Sequence, residues 1–287
     1  MRLMKESKGA KILINISLEE NNYKHFLGFR KKFKRLLMIE LLEKRHSVRS
    51  YESKPLSKEL IDKIKSEVTF INSHEAGLNF QVVFSDGSPF SGFGRSYGMF
   101  RNVTNYIAAV IDPTFPNTEE RAGYFAQQCV IELVKSGLGT CFVGGTFSRD
   151  NVNARVEVYE KIPFVVAFGY PEESKTTLMG KLTSKLAHRK NYKLSDFLTE
   201  NQVSEEELRN CNIDLNLALR AVACAPSALN SKPVRLSTQI LNGRPVIIAG
   251  VKDYAKNAVD LGIAKYNVAN VLPGVWEWGN NEPFFID

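Results

Sequence analysis

Apolar positions recur at two different periods along this chain, and the periods mark its elements. Leu60, Ile61, Ile64 and Val68 fall on one helical face, and Ser57 stands where an N-cap belongs, so the spacing predicts a helix over Ser57–Val68. Glu119–Lys135 repeats that period, with Tyr124, Cys129, Val130 and Leu133 available for burial. Glu205–Asn210 and Leu215–Ala223 read as shorter helices, and Ile39–Lys44 as the end of another. A last helix is expected over Ala255–Val271, carrying Val259, Leu261, Ile263, Ala264 and Val268 and ended by Pro273-Gly274. Strands are expected at Leu78–Phe84, Tyr106–Ile111 and the apolar run Phe164–Phe168; Asp86-Gly87 is a turn. Val234–Leu241 and Pro245–Val251 flank Asn242-Gly243, a strong signal for a two-residue hairpin.

This order predicts an α+β protein in which helices, paired strands and a long helix occur twice. The polar, basic stretch 172–193 separates the two runs and reads as a surface linker. At 287 residues the chain can hold one large or two small domains. The expected division is a basic extension at 1–37, a first half at 38–193 and a shorter second half at 194–287.

Charge sharpens that division. The formal net charge is +7, and the first 37 residues carry ten Lys or Arg against three Asp or Glu; the rest is balanced at 28 each. The body therefore has no compositional basic face and no nucleic-acid partner is expected, the extension being the one place for such an arm. No run of about 18 apolar residues predicts a membrane span, and no clean signal peptide is legible. Cys129, Cys141, Cys211 and Cys224 contain no C-x-x-C pair, and His25, His46, His74 and His188 lie far from them. Neither a metal site nor a disulfide framework is expected, which leaves a cytoplasmic protein with reduced thiols.

Candidate chemistry sits in two distant segments. Arg45-His46-Ser47-Val48-Arg49-Ser50-Tyr51 places two guanidiniums and a hydroxyl within five residues. Arginine forks match phosphate oxygens with charge-assisted hydrogen bonds, although the same cluster also suits a solvated helix end. Ala225-Pro226-Ser227-Ala228-Leu229-Asn230-Ser231-Lys232-Pro233 brackets short polar side chains between prolines. By itself it reads as a helix-to-strand loop. Between them, Gly137-Leu138-Gly139-Thr140-Cys141-Phe142-Val143-Gly144-Gly145-Thr146 offers a helix C-cap, a tight turn and a backbone that something flat can approach. Gly92-Phe93-Gly94-Arg95-Ser96-Tyr97-Gly98 imitates a dinucleotide fingerprint with the wrong spacing and reads as a loop.

Taken together, the two segments resemble the nitroreductase family of flavin enzymes, over roughly Met38 to Trp278. Members carry an R-x-S-x-R-x-[FY] element that holds the FMN phosphate, and this pattern is complete here. They also carry P-S-x-x-N-x-Q-P along the flavin from the partner subunit; here Lys232 replaces Gln, and Val234 replaces a common Trp. The resemblance implies a nitroreductase-like fold with FMN as cofactor. It implies transfer of reducing equivalents from NAD(P)H to a nitroaromatic, quinone or similar small acceptor. The implied cofactor-binding residues are Arg45, His46, Ser47, Arg49, Val143, Gly144, Gly145, Pro226, Ser227, Ala228 and Asn230. Arg189 is added as a late basic residue, with Lys190 second. The scheme requires no side-chain acid or base, so no catalytic residue is assigned. The first half lacks P-S-x-x-N at the matching place, Ile71 to Asn79, and the second lacks the arginine cluster. Complementary losses of this kind imply two related halves fused as a pseudo-dimer that keeps one site, either monomeric or paired again as a homodimer. The helix around Val259-Asp260-Leu261-Gly262-Ile263-Ala264 is expected to pack between the halves. The departures at Lys232 and Val234 leave a second reading, a non-redox or degenerate FMN-binding protein.

Overall fold

The computed structural model describes residues 33–91, 98–172 and 192–286. Helix α1 spans 33–44, and α2 covers Lys58–His74 with the Ser57 hydroxyl accepting from the Leu60 amide. Strands β1 (Gln81–Val83), β2 (Asn105–Ala108), β3 (Gly139–Val143) and β4 (Val165–Gly169) form an antiparallel sheet ordered β1-β2-β4-β3. Helix α3 (Thr118–Lys135) precedes β3. Every residue of β4 is buried, as expected for an interior strand covered on both faces. One face carries Ile107, Val166 and Phe168 into a core shared with α2 and α3. The other carries Tyr106, Cys141, Val143 and Ala167 against Tyr51, Phe90 and Phe147.

A second sheet has the order β5-β6-β7-β9-β8. Its strands are β5 (Leu198–Asn201), β6 (Arg235–Leu241), β7 (Arg244–Gly250), β8 (Gly274–Trp276) and β9 (Glu282–Ile286). Among the described residues of this sheet only β5 pairs in parallel. Asn242 and Gly243 both have positive φ, 51° and 74°, the geometry that matches a tight turn to strand twist. Helices α4 (Glu205–Asn210), α5 (Leu215–Cys224) and α6 (Tyr254–Val271) belong to this part. Its core joins Leu236, Ile247, Ala249 and Phe284 to Ala218, Val222, Leu261 and Val268, and it also takes in Met38, Ile39 and Leu42 of α1.

The two sheets meet through their long helices. Gly123 of α3 faces the Val259 carbonyl, and Gly262 of α6 faces the Glu120 carbonyl; a Cβ would lie 2.2 Å and 1.8 Å from those oxygens. Two backbones can approach that closely only where neither carries a side chain. Gln127 donates to Asn267 at 2.9 Å in the same buried seam. The packing expected of the Val259–Ala264 segment is thus a contact of α6 with α3. Among the described residues no helix is long and apolar enough to cross a membrane.

Candidate functional site

The arginine segment leaves α1 as extended backbone. The Arg45 amide closes the helix onto the Leu41 carbonyl at 3.0 Å. Ser47 then pairs in parallel with Thr140 of β3, the Val48 amide donates to the Thr140 carbonyl at 2.9 Å, and Arg101 donates its amide to the Arg49 carbonyl at 2.9 Å. Side chains alternate along extended chain, so residues 45, 47 and 49 share one side. Val48, on the other, packs onto Gly139, where a Cβ would lie 2.7 Å from its side chain. Gly139 therefore serves a close approach at the start of β3, whereas Gly137, at φ +80°, supplies the expected helix cap. Tyr51 anchors the segment, its hydroxyl donating to the Val48 carbonyl at 2.7 Å.

All three side chains act on Cys141, Ser47 by a hydrogen bond and the two arginines through space. Burial pushes this thiol up, opposed by the Arg49 guanidinium, the Ser47 hydrogen bond and the Arg45 guanidinium. Burial lowers the Arg45 pKa, opposed by the charges that Cys141 of β3 and Cys224 at the end of α5 can carry. The Arg45 Nε is buried and has no hydrogen-bond partner, and neither has the buried Oγ1 of Thr140, the bridge partner of Ser47. Buried polar atoms are nearly always paired, so an orphan on a guanidinium marks a place for an acceptor the chain does not supply. His46 is exposed, with Nδ1 3.3 Å from the Lys44 carbonyl.

The second segment follows α5 and is held in an uncommon conformation. Leu229, Asn230 and Lys232 all have left-handed backbone, with φ of 52°, 53° and 49°. Such residues persist only where the surroundings over-determine them. Here the Ser227 hydroxyl accepts from the Lys232 amide at 2.9 Å. The Ala228 amide reaches the Asp260 carboxylate at 3.4 Å, and Tyr192 donates to the Ser231 carbonyl at 3.0 Å. The Lys232 ammonium turns back onto the C-terminal end of α5, bonding the carbonyls of Ala223 at 2.8 Å and of the cap residue Ala225 at 2.7 Å. That explains a lysine at this position: its charge caps a helix C-terminus. Burial and then the Arg45 guanidinium push it down to about 8. A small cavity beside it is lined by Pro226, Ser227, Lys232, Val234 and Asp260.

These contacts bring both segments to one place at the seam. Helix α1 packs on α5 through their shared core, and Arg220 binds Glu43 at 2.7 Å. Arg45 stands two residues past Glu43 and Cys224 one turn past Arg220, and Arg45 interacts electrostatically with both Cys224 and Lys232. Val143 ends β3 buried, and Gly144 and Gly145 follow it exposed. Neither glycine has a positive φ, and a Cβ on either would touch nothing within 4 Å, so packing gives no reason for glycine there. Arg189 and Lys190, like 92–97 of the glycine-rich loop, lie outside the described residues. Asp260, Cys141 and Cys224 escaped sequence reasoning. Each sits inside an apolar helix or strand pattern, and only the fold brings the two thiols near Arg45 and Asp260 near Ala228 and Lys232.

A two-sheet α+β fold with a cation-lined seam defines a class of architecture, and sequence comparison supplies the family. Residues 37–270 match the family described as "Putative TM nitroreductase", and the chain belongs to that nitroreductase family. Among solved structures it is similar to a Thermotoga maritima protein described as a "putative nitroreductase", at 21% identity and TM-score 0.56, over 86% of this chain and 91% of that one. An FMN-dependent nitroreductase of Clostridium difficile matches at 21% identity over 53% of this chain and 98% of that one, with TM-score 0.38. A Desulfovibrio desulfuricans nitroreductase solved in complex with FMN matches at 14% identity over 58% and 98%, with TM-score 0.42. No curated protein matches the chain.

Proposed function

We propose that this protein is an FMN-dependent oxidoreductase that passes reducing equivalents from NAD(P)H to a nitroaromatic, quinone or similar small acceptor. The observation that carries the reading is the buried, unpartnered Arg45 Nε at the seam where both motif segments meet. Family membership supports the same chemistry. The residues fit the cofactor's parts. Arg45, Ser47 and Arg49 lie around one thiol and can hold a phosphate. Pro226, Ser227, Ala228 and Asn230 line the approach from the second sheet. The Val143–Gly145 backbone, with open space before both glycines, can lie against a planar ring.

FMN, when bound, would supply the redox-active ring; the chain supplies binding, orientation and electrostatics. The protein contributes no acid or base in this scheme. Its two sheets act as the fused halves of a pseudo-dimer that keeps one of two sites. The test is the visible spectrum of purified protein after FMN is added and the excess removed, followed by rapid mixing with NADH and NADPH. Retained flavin that either nucleotide bleaches is the expected result. Retained flavin that neither bleaches would leave a non-redox flavin binder, and a colourless protein would end the flavin reading.

A further inference from the structure

We propose that Lys232 is the second cation of the Arg45 site: a phosphate monoester seated against the Arg45 guanidinium takes the remaining donor of the Lys232 ammonium. This rests on the flavin reading above and extends it to a residue whose hydrogen bonds otherwise explain it as a helix cap.

An ammonium has three donors. Two of those on Lys232 are spent on the Ala223 and Ala225 carbonyls. The third has no protein acceptor among the described residues. Its place is set by left-handed backbone at Lys232 and by the bond from its amide to Ser227, so the side chain leaves the loop from a fixed point.

The charges around it do not balance. Lys232 interacts electrostatically with the Arg45 guanidinium, the Cys224 thiol and the Asp260 carboxyl, and the Arg235 guanidinium is spent on the Lys232 and Val234 carbonyls, at 2.6 and 2.9 Å. Burial pushes Cys224 up to about 11, so the thiol carries no charge near neutral pH. Asp260 accepts from the Ala228 amide and forms no ion pair with Lys232. Glu43, the other carboxylate near Cys224, is engaged by Arg220 through two bonds of 2.9 and 2.7 Å. Two cations thus share a largely buried site without a carboxylate bridging them. A phosphate there would relieve the repulsion between them and satisfy the orphaned Arg45 Nε.

The test is FMN and riboflavin affinity at pH 7, 8 and 9 for wild type, Lys232→Gln and Lys232→Arg. With the free ammonium titrating near 8, FMN must bring a proton with it above that pH. Wild-type Kd for FMN is expected to rise about tenfold between pH 7 and 9 by that linkage, while riboflavin, which has no phosphate, stays level. Lys232→Gln should bind riboflavin as wild type does and show a weak, flat FMN profile. Lys232→Arg, charged throughout, should be tight and flat. An FMN profile that is level in wild type, or that keeps its slope in Lys232→Gln, overturns the proposal and leaves the flavin reading standing. Should Lys232→Gln bind neither flavin, the arginine variant decides: a wild-type slope there overturns the proposal. Wild-type protein that binds neither flavin overturns both.

Discussion

Lys265 of α6 and Glu120 of α3 form an ion pair across the seam, Nζ to Oε1 at 2.6 Å, with both side chains fully removed from solvent. The remaining Lys265 donors go to the Glu277 and Gly279 carbonyls, each at 2.8 Å. The second Glu120 oxygen accepts from the Tyr254 hydroxyl at 2.6 Å and the Gly279 amide at 3.0 Å. Burial pushes the carboxyl up and the ammonium down, and each partner opposes the other's shift. Removing one member leaves a buried charge alone, which costs about 3–5 kcal/mol. Lys265→Met is expected to lose that much in urea unfolding. The double variant Lys265→Met, Glu120→Leu should lose clearly less than the two single variants summed. Strict additivity would mean the two charges do not act as a pair.

The glycines of the same seam predict a contrast. Gly262→Ala forces a methyl against the Glu120 carbonyl, and overpacking of this kind typically costs about 1–3 kcal/mol. Gly144→Ala meets open space and should leave the unfolding midpoint where it is. On the flavin reading Gly144→Ala instead weakens FMN retention. A Gly262→Ala protein as stable as wild type would show that the helices can slide apart without loss.

Asp260 makes stability pH-dependent. Burial pushes its carboxyl up to about 6, against the opposing pull of the Ala228 amide and Lys232. A carboxyl raised in the folded state stabilises fully below its unfolded pKa of about 3.9, and that contribution is lost as pH rises through about 6. Asp260→Asn should therefore match wild type near pH 4 and exceed it near pH 7, by up to about 3 kcal/mol. Urea midpoints at several pH values measure this; a gap that stays constant from pH 4 to 7 contradicts it.

Arg45→Ala should weaken FMN binding by about 1–3 kcal/mol, the range for a lost bond to a charged group. Equilibrium titration of flavin fluorescence measures it. Unchanged affinity removes Arg45 from the phosphate site.

The helices were legible because their apolar stripes are long and periodic. Ser57 was readable as a cap, and Asn242-Gly243 as a turn, because each has a specific backbone demand. Strands were less clear at their ends: Leu78–Phe84 narrows to Gln81–Val83, with Leu78 kept only as a bridge to Ile111. The β8–β9 pair was not foreseen. Its strands are short, and Trp276 earns its burial from partners outside its own strand, Phe284 of β9 and the Lys265 carbonyl of α6. The two motif segments were both visible one at a time. Their meeting was not, since it depends on α1 packing against α5. Lys232 looked like a departure from a pattern, because a bond to the carbonyls of a helix end leaves no mark in sequence.

The seam also sets an order of events in folding. The Lys265–Glu120 bond joins residues 145 positions apart, and the Gln127–Asn267 bond spans 140. Contacts of such long range are entropically late to close. Arg45 already nears Cys141 through the Ser47–Thr140 bridge, but it nears Lys232 only when α1 packs on α5, in a core that Leu261 and Val268 of α6 complete. A chain interrupted during synthesis before α6 would own every residue of the arginine cluster and still lack the site. On the flavin reading, FMN capture would therefore report that α6 has been made and has folded.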